Sequence, residues 1–300
     1  MNKKNPPHFN SEQIENSKKL SPLFTVIILL YNNSRYLQQC LDSVLIQNYS
    51  DIEIIVVDDH SDSFDKDGIE RYISEHQTPN IRKLIVYQNE SNYGTVKSAN
   101  GAILKACGSF IKLLAADDAL YDQDTLCYAA KALRESPCGI ITGNVMRCDK
   151  GLVPIKKYRN LLLDRLNRLT PFEVFRCLCV HDDIVSPGVF FDKSFFEEYG
   201  LFDESYRLIE DWPMWLKATK EGCRIVYSSF WAVKYRSNSG IGTSTNAYYM
   251  QDKKLVLNKI IIPAKKELGW YWYLKARFSF FFINSPIVRK TYGFFFRKGN

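Results

Sequence analysis

Two pairs of adjacent aspartates, Asp58–Asp59 and Asp117–Asp118, follow the apolar runs Ile52–Val57 and Phe110–Leu114. A third acidic pair, Glu210–Asp211, stands directly before Trp212. Any one pair is explained by a turn or a helix cap. Two pairs at the ends of two buried strands ask for more, because carboxylates gathered at one edge repel unless a cation or ligand donors compensate. A set of oxygen-only ligands favours Mg2+ or Mn2+, and those ions bridge phosphates.

Other residues with chemical potential have plainer explanations. His60 and His181 read as loop residues, and His181–Asp182–Asp183 reads as a solvated loop. Trp212 and Trp215 suit a core as well as an acceptor pocket. Gly94 is read as a turn glycine, since a lone glycine is weak evidence for a phosphate cradle.

The acidic pairs must be held by the elements around them. Phe24–Leu30 is continuously apolar, the pattern of a strand covered on both faces. Tyr31–Ser34 is a turn, and Ser34 is expected to cap a helix in which Tyr36, Leu37, Cys40, Leu41, Val44 and Leu45 recur at helical spacing. Strands are expected at 52–57, 81–87, 110–114 and 139–145, with helices near 66–76, 96–107 and 125–134 between them. Beyond these, 151–175 reads as basic and less regular, 185–191 as a strand, 210–220 as a helix and 224–235 as one or two strands. Strands alternating with helices imply a parallel sheet with helices on both faces, and ligands bind such sheets at the carboxyl ends of their strands.

An ordered set of motifs then becomes specific. Phe24–Asn32 (FTVIILLYN), Leu41–Gln47 (LDSVLIQ), Glu53–Ser61 (EIIVVDDHS), Asn92–Gly94 (NYG) and Leu114–Asp118 (LAADD) resemble the family 2 glycosyltransferases in order and spacing. The resemblance is strong over roughly 22–120 and resumes at Pro187–Gly188, Tyr199–Asp203 (YGLFD) and Glu210–Asp211–Trp212. It implies a GT-A fold, an α/β architecture with a Rossmann-like, mostly parallel sheet. The expected organisation is a flexible lead-in over 1–21 and a catalytic domain over 22–254. That domain divides into a nucleotide-binding half (about 22–120) and an acceptor half (about 121–254). A helical extension follows over 255–300.

The activity implied is inverting transfer from a UDP-sugar to a hydroxyl of a glycan or a polyprenyl-diphosphate-linked glycan, as in O-antigen or capsule synthesis, with Mn2+ or Mg2+ as cofactor. Under the resemblance Tyr31 lies beside the uracil, Asn32 is a donor-binding residue, and Asp59, with Asp58 next to it, accepts the uracil N3–H. Asp117 sits near the ribose and diphosphate, Asp118 is the metal ligand, and Asp211 is the general base. Glu210 and Trp212 fall on the acceptor side. The sequence departs from the family pattern at Leu29, where proline is usual, and at Ala115, where many members carry a further aspartate. An Arg-Asn pair common after the glycine loop is Ala99–Asn100 here, and Lys97 is expected to supply the missing charge to the donor. A non-catalytic sugar-nucleotide-binding protein of the same fold is the alternative. A dinucleotide-dependent oxidoreductase is disfavoured, because Tyr31–Ser34 stands where a GxGxxG loop would follow the first strand.

Composition is compatible with this reading. At 46% hydrophobic, the 300 residues can bury a core. The net charge of +7 suits a phosphate-bearing ligand or an anionic membrane, and no nucleic acid is expected. Eight cysteines without a CxxC pair point to free thiols in a reducing compartment. Residues 1–20 lack a secretory pattern and no apolar run reaches membrane-spanning length, so a cytoplasmic location is expected. Residues 270–298 mix aromatic clusters with Lys and Arg and are expected to sit peripherally on the cytoplasmic face of an anionic membrane.

Overall fold

The computed structural model describes residues 21–158, 162–237 and 246–284. The chain begins β1 (Phe24–Leu30), α1 (Leu37–Leu45), β2 (Ile52–Asp58), α2 (Lys66–His76), β3 (Ile81–Gln88), α3 (Thr95–Lys105) and β4 (Phe110–Ala115). It continues with β5 (Ala119–Leu120), α4 (Thr125–Arg134), β6 (Ile140–Cys148), β7 (Pro154–Lys157), α5 (Leu163–Leu166), α6 (Pro171–Val180), β8 (Val189–Asp192) and α7 (Lys193–Tyr199). The described part closes with α8 (Asp211–Lys220), β9 (Val226–Arg236), α9 (Ala247–Val256) and α10 (Lys265–Asn284), the last kinked at Gly269.

One sheet runs in the order β3-β2-β1-β4-β8-β6-β9-β5, with β7 paired to β6. The first four strands are mutually parallel. β8 is antiparallel to both β4 and β6, which converts the parallel half into a mixed one. From β1 the chain steps outward to β2 and β3, then returns to place β4 on the other side of β1. That reversal opens a crevice at the carboxyl ends of β1 and β4.

Strand periodicity sorts the apolar residues onto two faces. Ile27, Ile55 and Val57 join a core with α3, α6 and α8. Val26, Ile28, Ile54 and Val56 join a second core with α1 and α4. The sheet is thus covered on both sides, which is why β1 and β2 read as unbroken apolar runs. The two polar positions inside those runs satisfy each other: Thr25 Oγ1 donates to Glu53 Oε2 at 2.6 Å, and the Cys107 N–H donates to the same oxygen at 2.7 Å.

Several expectations change. Ser34 does not cap α1 with its side chain; Ser34–Tyr36 forms a 3-10 turn leading into the helix. The strand expected over 185–191 starts only at Val189, after a 3-10 turn over Ser186–Gly188, because Pro187 has no N–H for a ladder and its φ is fixed. The interval 151–175 contains β7, α5 and the start of α6. A 254/255 boundary falls inside α9, and Val256, Ile261, Ala264, Leu268 and Ala276 are all buried in the core that α6 and α8 share. The lead-in over 1–20 and the tail over 285–300 lie outside the described residues.

Trp215 is fully buried at the centre of that core, and its indole Nε1 donates to the Ile184 carbonyl at 2.9 Å. Trp215→Ala should lower unfolding stability by about 3–5 kcal/mol, the range for truncating a buried aromatic. Urea denaturation followed by far-UV circular dichroism measures it.

Candidate functional site

The ladder of β1 continues past its last residue. The Asp59 N–H donates to the Leu30 carbonyl at 2.8 Å, and the Ala116 N–H donates to the Leu29 carbonyl at 2.9 Å. These two bonds level the ends of β2 and β4 with the end of β1. Tyr31, Asp59 and Asp117 therefore emerge at one edge, where they line a cavity of about 490 Å³ together with Asn32, Asp118, Glu210 and Tyr248. Tyr31 is exposed, so a ring face is open to a ligand.

Each carboxylate there is held differently. Asp59 Oδ1 accepts from Asn89 Nδ2, the Tyr93 N–H and Ser98 Oγ at 3.0, 2.8 and 2.9 Å; Oδ2 accepts from the Gly94 N–H at 2.8 Å. Oδ2 keeps a lone pair for a further donor. Asp59 thereby folds the 89–94 loop onto the cavity. Gly94 has φ +86°, and a Cβ there would lie 2.5 Å from the Arg207 carbonyl oxygen, so the loop needs glycine.

Asp118 Oδ1 accepts from the Arg236 N–H at 2.9 Å. Burial pushes its carboxyl well up and the Asp117 charge adds to that, against the Arg236 N–H and the Lys112 and Arg236 cations. Lys112 is buried on β4, donates to the Pro187 and Val189 carbonyls at 2.5 and 3.1 Å, and is pushed down to about 7 by burial. Asp117 differs: Arg236 Nε donates to its carbonyl at 2.8 Å, while its carboxylate accepts no hydrogen bond among the described residues.

This donor set fits a hard divalent cation. Two neighbouring buried carboxylates supply oxygen ligands, and the burial that lifts Asp118, with the added Asp117 repulsion, is what a cation offsets. Among the described residues no third acidic, histidine or cysteine side chain joins them, so further ligands would be oxygens of a bound diphosphate and water, the usual surroundings of Mg2+.

A second cavity, of about 360 Å³, adjoins the first across Ser186, Pro187, Leu208, Glu210 and Tyr235. Asp182, Glu210 and Asp211 all line it. Burial raises all three carboxyls, and the Asp211 charge raises Glu210 and Asp182 further. Glu210 Oε1 accepts from Ser186 Oγ at 3.0 Å, and Asp211 Oδ1 accepts from the Trp212 N–H at 2.7 Å. Asp182 Oδ1 is buried with no hydrogen-bond partner among the described residues.

The segment leading to Glu210 is clamped from α9. The Asp252 carboxylate accepts from the N–H groups of Arg207, Leu208 and Ile209, with Leu208 closest at 2.6 Å. Arg207 also donates through Nη2 to the Asn92 carbonyl and side chain, which ties both cavity-lining loops together.

Some sequence expectations are not met. Asp58 does not line the first cavity; its carboxylate is taken by Ser61 and by Gln88 Nε2, pinning the 58–61 turn. Lys97 lies 4.2 Å from the centroid of the Tyr93 ring and does not line the cavity; Arg35 and Arg207 do. Trp212 borders the second cavity but is otherwise a core residue, its Nε1 donating to the Leu178 carbonyl at 2.9 Å. His181 and Asp182, read as a solvated loop, form part of the second cavity's wall. Arg236, Asp252 and Lys112 carried no motif; the one local signal was Lys112, a charged residue inside the otherwise apolar and buried β4.

The family model for glycosyl transferase family 2 matches residues 25–200. A PGL/p-HBAD biosynthesis glycosyltransferase of Mycobacterium bovis is 26% identical over 194 residues, 64% of this chain and 68% of that protein. A glycosyltransferase of Haemophilus influenzae is 23% identical over 275 residues, 90% and 80% of the two chains. Among solved structures, S. aureus TarS 1-349 superposes with a TM-score of 0.61 at 21% identity, covering 87% of this chain and 73% of that one. The same protein in complex with UDP-GlcNAc gives 0.57 at 22%, covering 79% and 67%. A mannosyltransferase of Pyrobaculum calidifontis in complex with GDP-Man and Mn2+ gives 0.53 at 18%, covering 87% and 74%. At these identities the superpositions establish the fold.

Asp252→Ala leaves three backbone N–H groups without their acceptor. It should destabilise the protein by about 3 kcal/mol, the scale for losing buried hydrogen bonds to a charged group. Urea denaturation checks this, and a loss under 1 kcal/mol would contradict the clamp.

Proposed function

The chain belongs to glycosyl transferase family 2, and we propose that it moves a sugar from a UDP-sugar to a hydroxyl of a glycan or lipid-linked glycan acceptor, with inversion. The observation that carries this reading is the junction of two cavities. One is lined by strand-end carboxylates and an open aromatic ring, the other by buried acids with raised pKa, and Glu210 borders both.

In this reading Tyr31 stacks on uracil and Asp59 Oδ2 accepts its N3–H. Asp117 and Asp118 would hold a divalent ion against the donor diphosphate, where it would stabilise the charge of the departing group. Arg35 and Arg207 add positive charge to the same cavity. The acceptor hydroxyl enters from the second cavity. Asp211 takes its proton as its oxygen bonds to the anomeric carbon, and the bond from that carbon to the diphosphate oxygen breaks with its electron pair going to UDP. Attack opposite the leaving group inverts the centre, through a transition state of oxocarbenium character. Burial of Asp211 suits this task, since a base needs a pKa nearer the working pH than that of a free carboxylate.

Release of UDP from a panel of UDP-sugars, with and without Mn2+, tests the activity. Asp211→Asn should lower turnover by about 10²–10⁴-fold while UDP still binds. The base works deprotonated and its pKa is raised, so kcat should fall as pH drops, with a midpoint clearly above the ~4 of an unperturbed carboxylate. A midpoint near 4, or collapse of UDP affinity in the variant, would assign Asp211 another role.

A further inference from the structure

The helix α10 has two distinct faces. Trp272, Tyr273 and Ala276 pack against the core that includes α6 and α8, and Phe280 lines the second cavity. On the opposite side Trp270, Tyr271, Leu274, Phe278 and Phe281 are 44–69% exposed. These positions recur at helical spacing and form one stripe about 100° wide. Lys275 and Arg277 fall on its two flanks by the same periodicity. A continuous exposed stripe of this kind, rimmed by charge, marks an interaction surface rather than scattered surface residues.

Charge identifies the partner. Residues 268–300 contain six basic residues and no acidic one; Lys275 and Arg277 lie on α10, and the other four fall outside the described residues. Trp and Tyr are the side chains that settle at a lipid headgroup boundary, and flanking Lys and Arg meet anionic headgroups. Among the described residues no helix is long and apolar enough to cross a membrane, so attachment would be by lying on the surface.

We propose that the exposed face of α10 docks on an anionic lipid surface, with the second cavity, in whose wall Phe280 sits, on the other side of the same helix. An acceptor anchored in the lipid would then be held within about a helix diameter of the cavity, a gain in effective concentration with no new contact. The docking goes beyond the transfer reaction and does not depend on it, because lipid binding is measured without any sugar.

Flotation of the full chain with vesicles tests this, comparing phosphatidylcholine alone with equal parts phosphatidylcholine and phosphatidylglycerol. The protein should float with the anionic vesicles, stay behind with the neutral ones, and be released by added salt. Combined Trp270→Glu, Leu274→Glu and Phe278→Glu should cut the floated fraction at least tenfold with an unchanged melting curve. Leu104→Glu, an exposed apolar residue on α3, should leave it unchanged. Equal flotation by wild type and the triple variant would overturn the proposal. So would failure to float with anionic vesicles, or a vesicle-free dimer in sedimentation that the triple variant abolishes, which would make the face an interface between copies.

Discussion

Holding several carboxylates out of water at one end of a sheet is the demand that the rest of this structure answers. A buried carboxylate is costly unless hydrogen bonds or opposite charge replace its hydration, and neighbouring carboxylates raise one another. The protein meets that cost unevenly. Asp59 receives four donors, Asp252 receives three backbone N–H groups, and Asp118 has the Arg236 N–H with the Arg236 and Lys112 cations nearby. Asp117, Asp182, Glu210 and Asp211 are left with few donors or none. The satisfied carboxylates organise backbone. As Asp59 and Asp118 also do, the under-satisfied ones line the cavities, and of these Asp117 and Asp211 take part in the proposed transfer reaction.

The organising carboxylates also join parts of the chain that are far apart in sequence. Asp59 on the β2 edge shapes the 89–94 loop, whose Gly94 packs against Arg207. Arg207 in turn is fixed by Asp252 on α9, the helix that leads to the C-terminal segment. These contacts link the first cavity and the segment leading to Glu210–Asp211 with α9. Dividing the chain into a catalytic domain and an appended extension cuts across that helix, and α10 supplies a wall of the second cavity.

The parallel half was legible because its signals are local. Unbroken apolar runs at 24–30 and 52–57 required cover on both faces, and the acidic pairs directly followed such runs. The antiparallel half was less so. Ala119–Leu120 is too short to show a period, and Pro187 broke a run that otherwise looked like one strand. Helix α6 did carry a signal, the Thr170–Glu173 capping box, inside an interval that composition alone marked as irregular. Asp58 and Lys97 illustrate a harder limit. Residue type and position suited both to ligand contact, but Ser61 with Gln88, and the Tyr93 ring, claimed them instead. Such competition is decided by neighbours as near as Ser61 and Tyr93 and as far as Gln88, thirty residues from Asp58, and no motif records it. Arg236, almost two hundred residues from Gln39, is fixed by contacts that only the folded chain creates.

Asp117 and Asp118 are proposed to form a cation-dependent diphosphate site at the β4 edge. Calorimetric titration of UDP into the protein, with Mn2+ and then with chelator, tests it most directly. UDP should bind tightly with Mn2+, lose at least tenfold in affinity with chelator, and show the same loss in the Asp117→Asn, Asp118→Asn double variant even when Mn2+ is present. UDP binding that ignores both Mn2+ and the double substitution would contradict it.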